Sequence, residues 1–175
     1  MSKTTSTRNR LIKRLDGYYK LEGLNAVWIF CLSIYIIFRN DVSEVIFLTY
    51  GIWFIVYILI QGTHYWRLKL LSLKGEKIDQ PFQINLFKKF KKTNQFLCLG
   101  IPLVFVIQWY LDKDMMSNSS IFYWSIFTNV FAIAEHINYY HRQLSYDNPY
   151  DWQYLRKNKR LKIASLKKDL EDGQI

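Results

Sequence analysis

Cysteine is almost missing: Cys31 and Cys98 are the only two in 175 residues. Both fall inside apolar stretches at different depths, so a disulfide framework is not expected and two buried thiols are. Histidine is as scarce, with His64, His136 and His141 alone, too few for a histidine-rich di-metal centre. The chain has no glycine-rich phosphate loop, nucleophile elbow, CxxC pair or zinc-finger spacing. It has no internal repeat and no low-complexity tract. Residues 1–22 are polar and basic, lacking the apolar core and small-residue cleavage site of a signal peptide, so the first apolar block reads as retained. Acidic residues are outnumbered, 14 against 24 Lys and Arg, which leaves a net charge of +10.

Long apolar blocks are what the chain does have. Half of its residues are hydrophobic, yet mean hydropathy is only −0.07 because basic segments offset those blocks. Aromatic residues make up 18% of the chain, the enrichment expected where Trp and Tyr sit at membrane interfaces. Four spans are predicted, at about 23–38, 45–62, 96–111 and 121–140. The first is short against the roughly 20 residues a crossing needs, so its ends should recruit polar neighbours. The helical period of the second continues past residue 62 and projects it beyond the bilayer, until Gly75 and Pro81 end it. Pro102 is expected to kink the third.

Amphipathic basic segments flank these spans. Leu11, Ile12, Leu15, Tyr18 and Tyr19 form one face of a helix within residues 1–22, with Arg8, Arg10, Lys13 and Arg14 on the remainder. Such a helix suits an anionic leaflet, though Gly17 weakens it. Residues 82–94 repeat the pattern, with Lys88, Lys89, Lys91 and Lys92 placed for lipid head groups. Residues 145–175 read as a basic cytoplasmic helix, begun by a turn at 147–149 and running from about 150 to 172.

Cations are distributed very unevenly. Residues 1–22 carry six, 63–94 carry eight and 142–175 carry eight, which leaves only Arg39 and Lys113. The connections after the first and third spans hold Asp41, Glu44, Asp112 and Asp114 instead. The positive-inside rule then sets both termini and the loop 63–94 in the cytoplasm. The fold class follows as an all-α, four-helix membrane bundle with N-in/C-in topology: an N-terminal helix 1–22, a membrane domain 23–144 and a tail 145–175. A pI near 9.5 also admits nucleic-acid binding, but the charges hug span ends, which disfavours it.

The chemistry-bearing residues gather on the fourth span. Glu135 lies about 22 Å along it from residue 120, at 1.5 Å per residue, and an ionisable group at that depth marks a candidate site. Ser125, Thr128, Ala132, Glu135, Asn138 and Arg142 share one stripe; Asn129, His136, Tyr140, Gln143 and Asp147 share the next. Such stripes pack against another helix or line a hydrated path. Gln61, His64 and Arg67 on the second span are the nearest partners, with Asn25 beside them.

Three readings follow. Glu135 pairs with Arg67 or Arg142 and the cluster is structural; or the stripes line a pore built by a homo-oligomer, with Glu135 as a cation-attracting ring; or Glu135, His136, His141 and His64 bind a metal. His136 and His141 lie about 140° apart on an ideal helix, a poor chelating pair, so no cofactor or metal is assigned. In architecture the chain resembles the small multi-pass proteins that bacteria use as pore-forming effectors, a likeness of shape without residue correspondence. It implies a non-enzymatic, oligomeric effector of the bacterial inner membrane. The alternative is an accessory subunit whose basic face, residues 150–175, docks a soluble partner. Residues 118–120 match a glycosylation acceptor.

Overall fold

The computed structural model describes residues 2–114, 119–146 and 149–175. The glycosylation tripeptide begins at Asn118, and most of the turn at 147–149 is made by 147 and 148; these three residues lie outside the described ones. Six helices make up the described chain: α1 (Ser2–Arg39), α2 (Val42–Lys74), α3 (Gln80–Leu111), α4 (Ser119–Tyr140), α5 (Pro149–Asn158) and α6 (Ser165–Asp172). Among the described residues there is no strand, only one isolated antiparallel bridge between Arg142 and Ile163.

The basic N-terminal segment and the first apolar block form one helix. No proline interrupts residues 22–23, and Gly17 and Gly23 are both passed through without the left-handed turn that ends a helix. α1 therefore runs for 38 residues, about 57 Å at 1.5 Å per residue. Residues 82–94 likewise join the third apolar block in α3. Where ends do occur, capping explains them. Gly75 adopts φ +89° and its N–H reaches the carbonyls of Leu71 and Ser72, closing α2. Asp79 accepts from Phe82 N at 3.1 Å and starts α3 ahead of Pro81.

α1, α2 and α3 are each long and apolar enough to cross a membrane, and α4 is not among the helices that meet that measure. Asn129, Glu135, His136 and Asn138 lower its apolarity. α2 is the central helix, with 67% of its most apolar window buried against 11% for those of α1 and α3. It packs on α1, α3 and α4, whereas α1 and α4 flank it and meet through the Tyr139 hydroxyl on Glu22.

Polar side chains lock this arrangement, as expected where lipid tails offer no hydrophobic drive between helices. Near one end, Gln108 takes Phe47 N and donates to Glu44 O, both at 2.5 Å. Asn129 of α4 donates to Phe47 O at 2.8 Å. Toward the other end Gln61 and Asn94 exchange two amide hydrogen bonds of 3.1 and 2.9 Å, and Tyr140 donates to Gln61 at 2.7 Å. Tyr50 donates to Leu97 O at 2.7 Å, one residue from the carbonyl that Pro102 leaves without a helical donor. On the α1 side Trp53 donates to Ser33 at 3.0 Å. These pairings fix successive helices antiparallel, so residues 2–22, 63–94 and 141–175 meet at one end of the bundle.

The tail is two helices, not the single one its periodicity predicts. After α5 the chain turns at Lys159, φ +48°, and residues 162–164 pair with 141–143: Gln143 N donates to Lys162 O at 2.9 Å and Ala164 N to His141 O at 3.4 Å. α6 then seats Leu166, 1% exposed, in the core. Asp169 accepts from Tyr65 at 2.6 Å and pairs with Lys69 at 2.7 Å. Asp169→Asn should loosen α6 by about 1.5–3 kcal/mol, the usual worth of a charged hydrogen bond. The check is amide hydrogen exchange: 165–172 should exchange faster while α2 is unchanged.

Candidate functional site

At the end where the basic segments meet, α1, α2, α4 and the returning tail enclose a vestibule of about 560 Å³. It occupies the gap that α1 and α4 leave beside α2. Its lining holds three acidic groups, Glu22 of α1, Glu135 of α4 and Asp151 of α5, and two cations, Arg14 and Lys162. Glu22 accepts from Trp66 Nε1 at 2.9 Å and from the Tyr139 hydroxyl, joining three helices at one carboxylate. Gly62 makes this possible: a Cβ there would run into Glu22 Oε2 and Tyr139. Glu22 Oε2 is buried and takes no hydrogen bond.

Glu135 is half-buried one turn before Tyr139 and receives only a long 3.4 Å bond from Asn138. Neither predicted arginine reaches it. Arg67 is exposed, and Arg142 is also exposed, its guanidinium 3.4 Å from Leu161 O. The expected Glu135–Arg67 or Glu135–Arg142 pair is thus corrected. Arg67 lies on the exposed face of α2, and Arg142 follows the end of α4, where the chain is committed to the bridge with Ile163. Lys162 is paired with Asp151 at 3.1 Å, and Arg14 donates to Tyr18 at 2.7 Å and lies over its ring. Among the described residues neither Glu22 nor Glu135 meets a Lys or Arg.

The polar stripes of α4 divide between packing and site. Ser125, Thr128, Asn129 and Ala132 are buried and face α2 at Gly51, where an added Cβ would come within 2.6 Å of Thr128 Oγ1 and 2.9 Å of Asn129 N. Asn138 holds the chain beyond α4 by accepting from Leu144 N and Ser145 N at 2.7 and 3.2 Å. His136 is 5% exposed, its Nδ1 without a partner. Its ring lies 5.3 Å from that of Tyr140 and 5.3 Å from that of His141. The ideal-helix angle that sets His136 and His141 apart does not hold, because α4 ends at Tyr140 and His141 lies in a turn. Burial lowers the His141 pKa below its usual value, with Lys91 and Lys167 adding to the effect. Among the described residues no three His, Cys, Asp or Glu groups come together to hold a metal.

The predicted partners on α2 separate. Gln61 joins Asn94 and Tyr140 in the core. His64 Nε2 lies 2.8 Å from Gln83 Oε1, and its ring stacks on Phe87 at 5.6 Å. Arg8, Arg10 and Lys13 are exposed on α1, Arg8 reaching Leu73 O at 2.8 Å. Lys88, Lys89 and Lys92 are exposed on α3 and Lys91 is half-buried.

Sequence reasoning passes over Glu22, which ends a basic segment, and with it Trp66 and Tyr139. The available signal is an acid at the border of an apolar block, four residues before the buried Ala26. Comparison with protein-family models, with curated proteins and with solved structures finds no match for this chain.

Proposed function

We propose that this is a four-pass protein of the inner membrane, with both termini and the 63–94 segment in the cytoplasm, and that it acts without catalysis as a receptor for a positively charged solute. Supporting the topology are the charge distribution and the gathering of the three basic segments at one end. α4 would be the fourth crossing: its 22 residues reach about 33 Å at 1.5 Å per residue, enough for a core about 30 Å thick. The observation that carries the receptor reading is two carboxylates turned toward one vestibule with no Lys or Arg among the described residues paired to either. Burying a charge without a counter-ion is unfavourable, and a bound cation supplies one.

Equilibrium dialysis of the full chain in nanodiscs against radiolabelled ethylamine tests this. Wild type should retain the amine and Glu135→Gln should weaken retention about tenfold, equivalent to about 1.4 kcal/mol. Equal retention by the two would overturn the reading.

A second reading, an oligomeric effector, is favoured by the outward apolar faces of α1 and α3, whose windows are only 11% buried. Copies would meet through those faces; Ser125 and Thr128 already pack on α2. Light scattering of the solubilised protein distinguishes them: a defined multiple of 21.2 kDa supports assembly, and a monomer removes it. A soluble partner would dock instead on the exposed Arg156, Lys157, Lys159 and Arg160.

A further inference from the structure

Resting on the receptor reading, we infer that the vestibule takes an amphiphilic amine: a protonated amino group carrying N–H donors, joined to an aliphatic body. The cavity, about 560 Å³, is in the range that holds a drug-sized molecule. It is far larger than a metal ion or a methylammonium group requires. Its lining is mixed. Lys162 is taken up by Asp151 and Arg14 by Tyr18, which leaves Glu22 and Glu135 as the acids without an ion pair among the described residues, while Leu11, Leu15, Leu21, Leu59 and Leu166 supply aliphatic surface.

The head group follows from what the carboxylates lack. Glu135 has a single long donor, and Glu22 Oε2 has none. Carboxylate oxygens are strong acceptors, and charge-assisted N–H donors are their best partners. A quaternary ammonium offers no N–H and binds instead inside a cage of aromatic faces. Tyr18, Tyr65, Trp66 and Tyr139 also line the vestibule, but Trp66 Nε1 and the Tyr139 hydroxyl are bonded to Glu22 and the Tyr65 hydroxyl to Asp169.

The body follows from the aliphatic lining. Leu11 and Leu21 line the vestibule and are 43% and 57% exposed. An alkyl chain laid along them removes about 25 cal/mol of unfavourable hydration per Å². A short hydrophilic amine would leave that surface wet. The gap between α1 and α4 gives such a chain a path along the bundle.

The test uses the full chain in nanodiscs of phosphatidylcholine, a lipid without an N–H donor, read by native mass spectrometry against empty discs. The probes are dodecylamine, dodecanol and ethylamine. Dodecylamine should bind at least tenfold more tightly than either of the others. Glu135→Gln should reduce its binding about tenfold, with an unchanged melting curve as the check on folding. Leu11→Lys, at an exposed position that does not threaten the fold, should reduce it as well. Ethylamine binding as tightly as dodecylamine, still dependent on Glu135, would overturn the inference and leave the receptor reading standing. Dodecanol binding as well as dodecylamine, or no amine binding through Glu135, would overturn both.

Discussion

Gly51→Leu is expected to separate α4 from α2 and to cost more than about 3 kcal/mol, the upper part of the range for overpacking. Side-chain atoms crowd the position, Thr128 Oγ1 nearest at 2.6 Å, but the contact that cannot be relieved is with backbone. A Cβ at residue 51 would already lie 2.8 Å from Asn129 Nδ2 and 2.9 Å from the Asn129 amide nitrogen. Backbone cannot swing aside, so relief requires the helices to part. Parting them breaks the Asn129 bond to Phe47 O and exposes a buried amide to lipid. The measurement is the unfolding midpoint in a mixed-detergent titration, with hydrogen exchange at 125–132 as a local readout. Gly51→Ala should show a smaller loss of the same sign. Gly17→Ala is the control: nothing lies within 4 Å of its added Cβ, and helix propensity there predicts a gain of about 0.5–1 kcal/mol. Equal effects at 17 and 51 would refute close packing as the cause.

The second large effect belongs to Gln61. It is 1% exposed and bonded to Asn94 and Tyr140, both fully buried. Gln61→Leu keeps the volume near its original value but strands an amide and a hydroxyl at once. The loss should be about 2 kcal/mol or more, since each orphaned buried group costs about 1–3. Asn94→Leu alone should behave similarly. The double variant should be less destabilised than the sum of the two by about 1 kcal/mol or more, because the pair then leaves together. Strict additivity would mean that the two amides do not depend on each other.

These two positions show what the sequence carries and what it hides. The apolar blocks and their spacing were legible because an apolar period of helical length has few other uses. The ends of helices were not. Composition changes from basic to apolar at residues 22 and 94, whereas a helix ends where a cap or glycine diverts the backbone, at Gly75 and Asp79. Thus two basic arms read as separate pieces belong to α1 and α3. The tail was misread for a different reason. Residues 159–163 hold no proline or glycine, and the break comes from pairing with 141–143, a contact that no local pattern announces. Glu135 was identifiable as an acid within an apolar helix. Its neighbour Glu22 was not, because their meeting depends on which helices flank α2.

The continuity of α1 has a mechanical consequence. A helix of 38 residues is tied to α2 at three levels, by Arg8 on Leu73 O, by Trp66 on Glu22 and by Trp53 on Ser33. Helices bend only gently over such lengths. A pull on the arm carrying Arg8 and Arg10 is therefore shared with α2 and moves the two helices as one body. Spin-label distances between the outer ends of α1 and α3 should shift when anionic lipid replaces neutral lipid, and fixed distances would refute it. On these mechanics the charge of the membrane surface that meets the basic segments would set the tilt of α1 and α2 together.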